Sequence, residues 1–312
     1  MLVSAEQIRD HLPWDFLSEA IEDMFRRGCE MPVRHHHKVE VPGEADATLL
    51  LMPAWLAGKY LGVKMVSVFP GNATRGLAAV SGSYLLTHGT TGELLCILDG
   101  TELTARRTAA ASALAAKYLA RKDAKKLLMV GTGRMSTNLI EAHAHVREIE
   151  QISVWGRNPE KAQAVADGLK AKGFDVTPAT DLADSCASAD IISCATLSEQ
   201  PLIRGEWLAH GTHLDLVGGF TPAMREADDE VVRRAKVFVD TREGAMKEAG
   251  DIVTPLASGN LKKEEILADL YQMCRGEHPG RCADQDITLF KSVGAALEDL
   301  AAAIAVYERL TN

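Results

Sequence analysis

The sequence predicts an α/β protein made of a parallel, doubly wound unit of Rossmann type and a second unit of mixed α+β type. Three observations predict it. The apolar run Lys126-Leu127-Leu128-Met129-Val130 enters Gly131-Thr132-Gly133-Arg134-Met135-Ser136, a strand leading through a tight glycine turn into a helix. Short apolar runs then alternate with helical stretches as far as residue 240, the pattern of a parallel sheet. Residues 1–120 differ in character, with several strand candidates in succession and then a long Ala-rich helix.

The elements follow in order. After a helical opening, strand candidates fall at 38–41, 48–53, 61–68 and 81–86, and a Gly92 turn leads to 93–98. They suggest a mostly antiparallel sheet with a hairpin. The Ala-rich helix, expected over 104–119, leads into the glycine-turn strand at 126–130. Further strands are expected at 151–155, 174–177, 189–194, 213–217 and 235–240, and another in the 286–294 segment. A final Ala-rich helix over 295–309 is expected to return to the first unit. The resulting division is 1–120 plus 295–312 for a substrate domain and 121–294 for a Rossmann-type dinucleotide-binding domain.

At 312 residues the chain is long enough for two ordinary domains. Its formal charge of −9 opposes an extended nucleic-acid or acidic-membrane surface, although a local basic pocket remains compatible with it. The six cysteines, Cys29, Cys96, Cys186, Cys194, Cys274 and Cys282, have neither metal-ligand spacing nor the density of a disulfide scaffold, which fits a reducing cytosol. No apolar run approaches the roughly 20 residues of a membrane span, and Met1-Leu2-Val3-Ser4-Ala5-Glu6 does not read as a leader. A cytoplasmic protein is expected.

Within the turn, Gly131 permits the bend, Gly133 lets the backbone approach a pyrophosphate, and the helix from Arg134 and Met135 offers free N–H groups to the anion. Ser136 takes the third-glycine position. The next strand ends in Trp155-Gly156-Arg157-Asn158, with no Asp or Glu to hold ribose hydroxyls. A guanidinium and a small amide suit a 2′-phosphate, so NADPH is favoured and NADH possible. The alternative is that Arg157 is an exposed turn residue while Asn158 and Pro159 start a helix. Cys194-Ala195-Thr196 follows a sheet strand and should border the nucleotide, with Cys194 read as buried packing.

The first unit supplies cations in an acidic chain: Arg34 before a His-rich strand, Lys64 inside an apolar strand, and Arg106-Arg107-Thr108 in the Ala-rich helix. Converging, Arg34, Lys64 and Arg107 would bind a small carboxylate. The alternatives are a surface arginine, a paired or snorkelling lysine and a helix-terminal arginine. Asp299 is either a charge partner or a helix-surface residue. His35-His36-His37 alternate faces in a strand and cannot all converge, so no metal site is expected. His143 and His145 read as helix residues without a defined task.

The segments Met31-Pro32-Val33-Arg34, Leu51-Met52-Pro53, Gly62-Val63-Lys64, Leu103-Thr104-Ala105-Arg106-Arg107-Thr108-Ala109-Ala110, Gly131-Thr132-Gly133, Leu216-Val217-Gly218-Gly219 and Phe290-Lys291-Ser292-Val293-Gly294 together resemble the ornithine cyclodeaminase and mu-crystallin family. The resemblance implies that Arg34, Lys64 and Arg107 surround a substrate carboxylate. It places the glycine loop, Arg107, Thr108, Val217, Gly218, Gly219, Lys291 and Ser292 near a nicotinamide cofactor. It also implies a homodimer joined through the substrate domain. Cyclodeaminases of the family carry an acidic residue before Leu-Met-Pro and an aspartate after the paired glycines, where this chain has Leu50 and Phe220. Losing both carboxylates removes the partners a diamino acid needs. The stretch Gly218-Gly219-Phe220-Thr221-Pro222 is similar to that of family members that reduce Δ1-pyrroline-2-carboxylate and Δ1-piperideine-2-carboxylate. A cyclic-imine reductase is therefore expected, with Phe220 lining the substrate site and Lys64 binding the carboxylate and orienting or relaying a proton; the alternatives are a cyclodeaminase, an alanine-dehydrogenase-like enzyme or a non-enzymatic crystallin-like protein.

Overall fold

Strand β1 (Leu2–Val3) opens the computed structural model, which describes residues 1–311. Ser4 starts α1 (Ala5–His11): its hydroxyl accepts the Gln7 N–H while the Gln7 side chain accepts the Ser4 N–H, a reciprocal capping box. Pro13 precedes α2 (Trp14–Arg27), whose buried Leu17, Ile21, Met24 and Phe25 recur at helical spacing, and Gly28 ends it at φ 78°. Five strands follow: β2 (His35–Val39), β3 (Ala47–Leu56), β4 (Tyr60–Val68), β5 (Val80–His88) and β6 (Leu94–Asp99). The sheet order is β1-β6-β5-β4-β3-β2, antiparallel except where β1 joins β6.

Strand β3 passes through Pro53 without breaking. The Trp55 N–H points outward to the Glu30 carbonyl, and Pro53, two residues earlier, aims its nitrogen the same way just beyond the last β2 pair, His35 with Leu51. No ladder bond is lost there. Directly opposed residues share a face, so the register Met52–Lys64–Tyr84–Leu98 gathers these four on one side of the sheet, where all are buried. The final helix, Ala296–Thr311, packs on α2, β3, β4 and β5 and belongs to this first compact unit. Helix α3 (Gly100–Leu119) begins in the first unit and continues past Arg107 into the second, starting four residues before the helix expected at 104.

The second unit, Thr108–Ala295, contains β7 (Lys126–Val130), α4 (Arg134–Val146), β8 (Gln151–Trp155), α5 (Pro159–Lys170), β9 (Val176–Pro178), α6 (Leu182–Ser188), β10 (Ile191–Cys194) and β11 (His213–Leu216). It continues with α7 (Asp229–Arg234), β12 (Ala235–Val239), α8 (Arg242–Glu248), α9 (Gly250–Ser258), β13 (Ile266–Asp269), α10 (Leu270–Cys274) and β14 (Ile287–Lys291). The terminal helix is α11 (Ala296–Thr311). All eight strands pair in parallel, in the order β13-β12-β14-β11-β10-β7-β8-β9. Counting β7 as the first strand, the order from the β9 edge is 3-2-1-4-5-8-6-7: the first five strands follow the doubly wound order, β14 takes the sixth place, and the order reverses between β7 and β10, the position where such sheets bind dinucleotides. Helices cover the sheet, and Leu128, Val130, Ile192, Leu214, Leu216, Val237, Val239 and Leu289 form its core. No described helix is long and apolar enough to cross a membrane.

Candidate active site

The glycine turn stands at the carboxyl end of β7. Gly131 adopts φ 124°, and a Cβ there would lie 2.5 Å from the Ala195 carbonyl oxygen, so only glycine lets the turn close against the loop after β10. The Ser136 hydroxyl donates to the Gly131 carbonyl at 2.8 Å and ties the helix to the turn. Gly133 caps α4 without a side-chain hydrogen bond, and a Cβ on it would meet nothing within 4 Å. Protein packing does not demand a glycine there; its absent side chain leaves the first-turn N–H groups of Arg134 and Met135 approachable. Thr132 packs against Gly156, where a Cβ would come within 2.6 Å of the threonine methyl, and the Gly131 N–H donates to the Trp155 carbonyl at 2.8 Å. The end of β8 is therefore fastened beside the turn. Arg157 projects into solvent with no hydrogen bond or ion pair to a described residue, whereas Asn158 accepts the Glu160 and Lys161 N–H groups and caps α5.

Beyond β10 and β11, the next loops are held from below. Thr196 donates its N–H and hydroxyl to Glu226 Oε1 at 2.6 and 2.8 Å. A Cβ at Gly218 would lie 2.1 Å from the Thr196 carbonyl oxygen, so these two loops touch, and Val217 donates to the Cys194 carbonyl at 2.8 Å. Gly219 turns at φ 57° over Asp251. Lys291 is fully buried, and its ammonium donates to the Gly218 carbonyl. The buried Ser292 is held by its N–H on the Leu216 carbonyl at 3.2 Å. Cys194 is buried beside Glu226, and burial pushes its thiol well above the usual range, a state that withholds a nucleophilic thiolate. Phe220, 48% exposed, follows directly on the glycine pair.

In the first unit, Lys64 Nζ stands 2.6 Å from Asp299 Oδ2, and Arg107 Nε donates to Asp299 Oδ1 at 2.9 Å. The Arg107 Nη1 donates to Glu298 Oε2 at 2.5 Å. All four side chains are buried. Burial lowers the Lys64 pKa to about 8; Arg107 and Arg34 push the same way and Asp299 opposes them. Burial also acts against the charge of Arg107, but Asp299 and Glu298 outweigh it and hold the guanidinium above its ordinary value. Arg34 is thus close enough to act on Lys64. Arg106 points elsewhere, donating to the Leu12 carbonyl and lying 4.1 Å over the Trp14 ring. Leu50 pairs with Val66, one same-face step from Met52 and Lys64, so an apolar side chain occupies the position that an acid would share with the lysine. His36 pairs with Leu50 on that face; His35 and His37 stack edge to face on the other.

The model for the ornithine cyclodeaminase/mu-crystallin family matches residues 1–312. The chain belongs to that family. The Δ1-pyrroline-2-carboxylate reductase of Paracoccus denitrificans is 40% identical over 283 residues, which cover 90% of this chain and 89% of that protein. Among solved structures, Thermococcus litoralis Δ1-pyrroline-2-carboxylate reductase in complex with NADH and L-proline superposes with TM-score 0.93 at 35% identity, covering 100% of this chain and 97% of that one. An archaeal alanine dehydrogenase dimer with bound NAD gives TM-score 0.90 at 30% identity, covering 100% and 96%.

Within this family member, sequence reasoning missed Glu226, Asp251 and Glu298. A lysine at the end of the apolar strand β14 was the available signal for the first two, because a buried ammonium needs an acid. Asp299 proves to be the charge partner, not a helix-surface residue. His143 also gains a partner, Asp215 Oδ2 at 3.1 Å, and that carboxylate accepts the hydroxyls of Ser193 and Ser112 at 2.7 and 3.0 Å. Both serines donate to the acid and not to the histidine, and the group is fully buried, so it is a core polar network and not a nucleophilic triad. Among the described residues no cluster of His, Cys, Asp and Glu is arranged to hold a metal ion.

Proposed function

We infer that this chain reduces cyclic ketimine acids with a nicotinamide nucleotide, converting Δ1-pyrroline-2-carboxylate to L-proline and the six-membered homologue to L-pipecolate. The observation that carries the reading is the buried Lys64–Asp299–Arg107–Glu298 cluster with Arg34 beside it, in a unit whose neighbouring position is Leu50 and not an acid. Arg34, Lys64 and Arg107 hold the substrate carboxylate by charge-assisted hydrogen bonds. Asp299 keeps the ammonium and the guanidinium oriented. With its pKa near 8, Lys64 is an ammonium at neutral pH yet gives up a proton readily, which suits it to protonate or orient a proton toward the imine nitrogen. Leu50 and Phe220 offer apolar surface to a ring and no partner to a second ammonium.

The glycine turn, the N–H groups opening α4, and the loops at Ala195-Thr196 and Val217-Gly218-Gly219 fit a dinucleotide, because each lies at the carboxyl end of a strand flanking the switch point or next to it. When bound, the reduced nicotinamide supplies the hydride that the substrate C2 accepts. NADPH is the preferred form, since the exposed Arg157 meets no acidic neighbour that would compete with a 2′-phosphate. A homodimer in the cytoplasm completes the reading: β2 is a sheet edge exposed at all five positions, open to pairing with a second copy.

A second reading, amino-acid oxidation as in an alanine dehydrogenase, draws on the likeness to that enzyme's fold. One experiment separates them. Oxidation of NADPH is followed with the five- and six-membered cyclic imino acids and with pyruvate plus ammonia, and ammonia release is measured from ornithine with NAD. Reduction of at least one ring with little ammonia release is expected; efficient ornithine cyclodeamination with negligible imine reduction would overturn the assignment.

A further inference from the structure

Three fully buried charged side chains underlie the loops that follow β10, β11 and β14. Lys291 Nζ donates to the Gly218 carbonyl and stands 3.5 Å from Asp251 Oδ2 and 4.0 Å from Glu226 Oε2. Glu226 Oε1 carries Thr196, and Asp251 Oδ1 accepts the N–H groups of Glu226 and Ala227 at 2.8 and 3.0 Å. The remaining oxygens, Glu226 Oε2 and Asp251 Oδ2, have no hydrogen-bond partner among the described residues. Two carboxylates thus share one ammonium, and with all three ionised the cluster carries one net negative charge.

Its place in the sheet gives that charge a meaning. The glycine turn and Arg157 belong to β7 and β8, in the half of the sheet that takes the adenosine side of a dinucleotide, so β10, β11 and β14 take the nicotinamide side. We propose that Glu226, Asp251 and Lys291 form a positioning cluster that sets the Thr196 and Gly218-Gly219 loops for the nicotinamide ring and, through its net charge, favours the oxidised ring over the reduced one. The proposal rests on the nicotinamide-dependent reading above. Oxidised nicotinamide is a cation and reduced nicotinamide is neutral, so a buried negative cluster attracts only the first, in surroundings that screen little.

Burial pushes the Glu226 carboxyl up to about 7, with Lys291 pulling it down and Asp251 raising it again. Below that pH the proton on Glu226 makes the cluster neutral; above it the cluster is negative and the oxidised ring gains. The other groups facing the cluster do not supply this switch. Cys194 on β10 stays a thiol, and Asp240 at the end of β12, on which Lys291 also acts, has its carboxylate occupied by the N–H groups of Thr241, Val293 and Gly294.

The test is equilibrium binding of NAD⁺ and of NADH to the whole protein by calorimetry, from about pH 6 to about pH 8.5, a window spanning a carboxyl raised to near neutrality. The affinity for NAD⁺ relative to NADH should rise about fivefold across it, the order expected of one unit charge acting through a partly screened site. In Glu226→Gln the amide oxygen still accepts Thr196 while the titrating proton is gone, so the rise centred near pH 7 should be lost, leaving only what the Lys64 transition near 8 contributes. A wild-type ratio that ignores pH while both nucleotides bind overturns the proposal, as does a Glu226→Gln ratio that rises as far as the wild type's. Should the variant not fold, the wild-type series decides alone. Failure of wild type to bind either nucleotide overturns the functional reading, and the proposal with it.

Discussion

Each unit buries a cluster of charged side chains, and the two are balanced differently: two cations face two carboxylates in the first, and one cation faces two in the second. In the first unit Lys64 and Arg107 share Asp299, Glu298 takes the other edge of the guanidinium, and Arg34 adds a third positive field. In the second, a single Lys291 serves Glu226 and Asp251. Lys64, Arg107, Asp299 and Glu298 in the first and Lys291, Glu226 and Asp251 in the second are all at near-zero exposure, and burial is the largest cause both of the lowered lysine in one and of the raised glutamic acid in the other. Burial alone therefore does not say what a charged cluster attracts. The ratio of cations to carboxylates bears on it, and in the proposed readings the cation-richer first cluster serves a carboxylate and the carboxylate-richer second a cationic ring.

Parallel substitutions break this comparison most directly. Asp299→Asn takes away the one carboxylate that touches both buried cations, and a stability loss of about 3–5 kcal/mol is expected from denaturant unfolding, the scale for stripping a buried charge of its partner. A loss under about 1 kcal/mol would show that the cluster does not depend on balance. Next in size is Lys64→Met, which keeps the stem but not the charge; kcat/KM for cyclic-imine reduction should fall about 10²- to 10⁴-fold. Unchanged kinetics would remove Lys64 from the chemistry.

The same lysine sharpens the comparison through pH. Its pKa is lowered from 10.5 to about 8, so an activity that needs the ammonium is present below pH 8 and declines as pH rises through it. Between about 8 and 10.5 the unfolded chain holds the proton that the folded chain has lost, so the penalty Lys64 imposes on stability eases as pH rises across that window. A pH–rate profile and unfolding at matched pH values check the two statements separately. Arg157→Ala should weaken NADPH by about 1.5–3 kcal/mol while sparing NADH, the range for a charge-assisted hydrogen bond; equal losses for both nucleotides would count against a 2′-phosphate contact. The smallest effect is expected from Asp251→Asn. Its amide oxygen still accepts the Glu226 and Ala227 N–H groups while the surplus negative charge disappears, so thermal unfolding should register a change below about 1 kcal/mol.

Much of the second unit was legible in the sequence. Strands β7, β8, β10, β11, β12 and β14 lie inside a parallel sheet, and their apolar runs announced themselves with errors of a few residues at the ends. Two-residue β1 is too short to show a pattern, and β13, at the sheet edge after Lys262-Lys263-Glu264-Glu265, buries only alternate residues and lacks the continuous apolar run of a central strand. Strand β2 begins at His35 and not at 38, since its partner β3 and not its own polar composition sets where it pairs. The site divided in the same way. Gly131, Gly133 and Ser136 could be placed in a strand-turn-helix from spacing, and the structure gives Gly131 and Ser136 a packing or hydrogen-bonding reason, whereas Asn158, weighed as a 2′-phosphate partner, has its oxygen engaged as a helix cap.

By itself the sequence determined the parallel nucleotide-binding unit, the glycine turn, the apolar residues at 50 and 220, and the presence of cations in a strand and a helix where charge is expensive. Those features depend on local spacing and on residue type, which a linear chain displays. Only the tertiary structure decided the partners: Asp299 and Glu298 meet Lys64 and Arg107 although the whole sequence of the second unit lies between them, and Glu226, Asp251 and Lys291 come from a loop, a helix and a strand. Charge balance is a property of groups brought together by folding. Its sign, and with it the pKa values of Lys64 and Glu226, exists only once the sheet and helices have excluded water from the groups they gather.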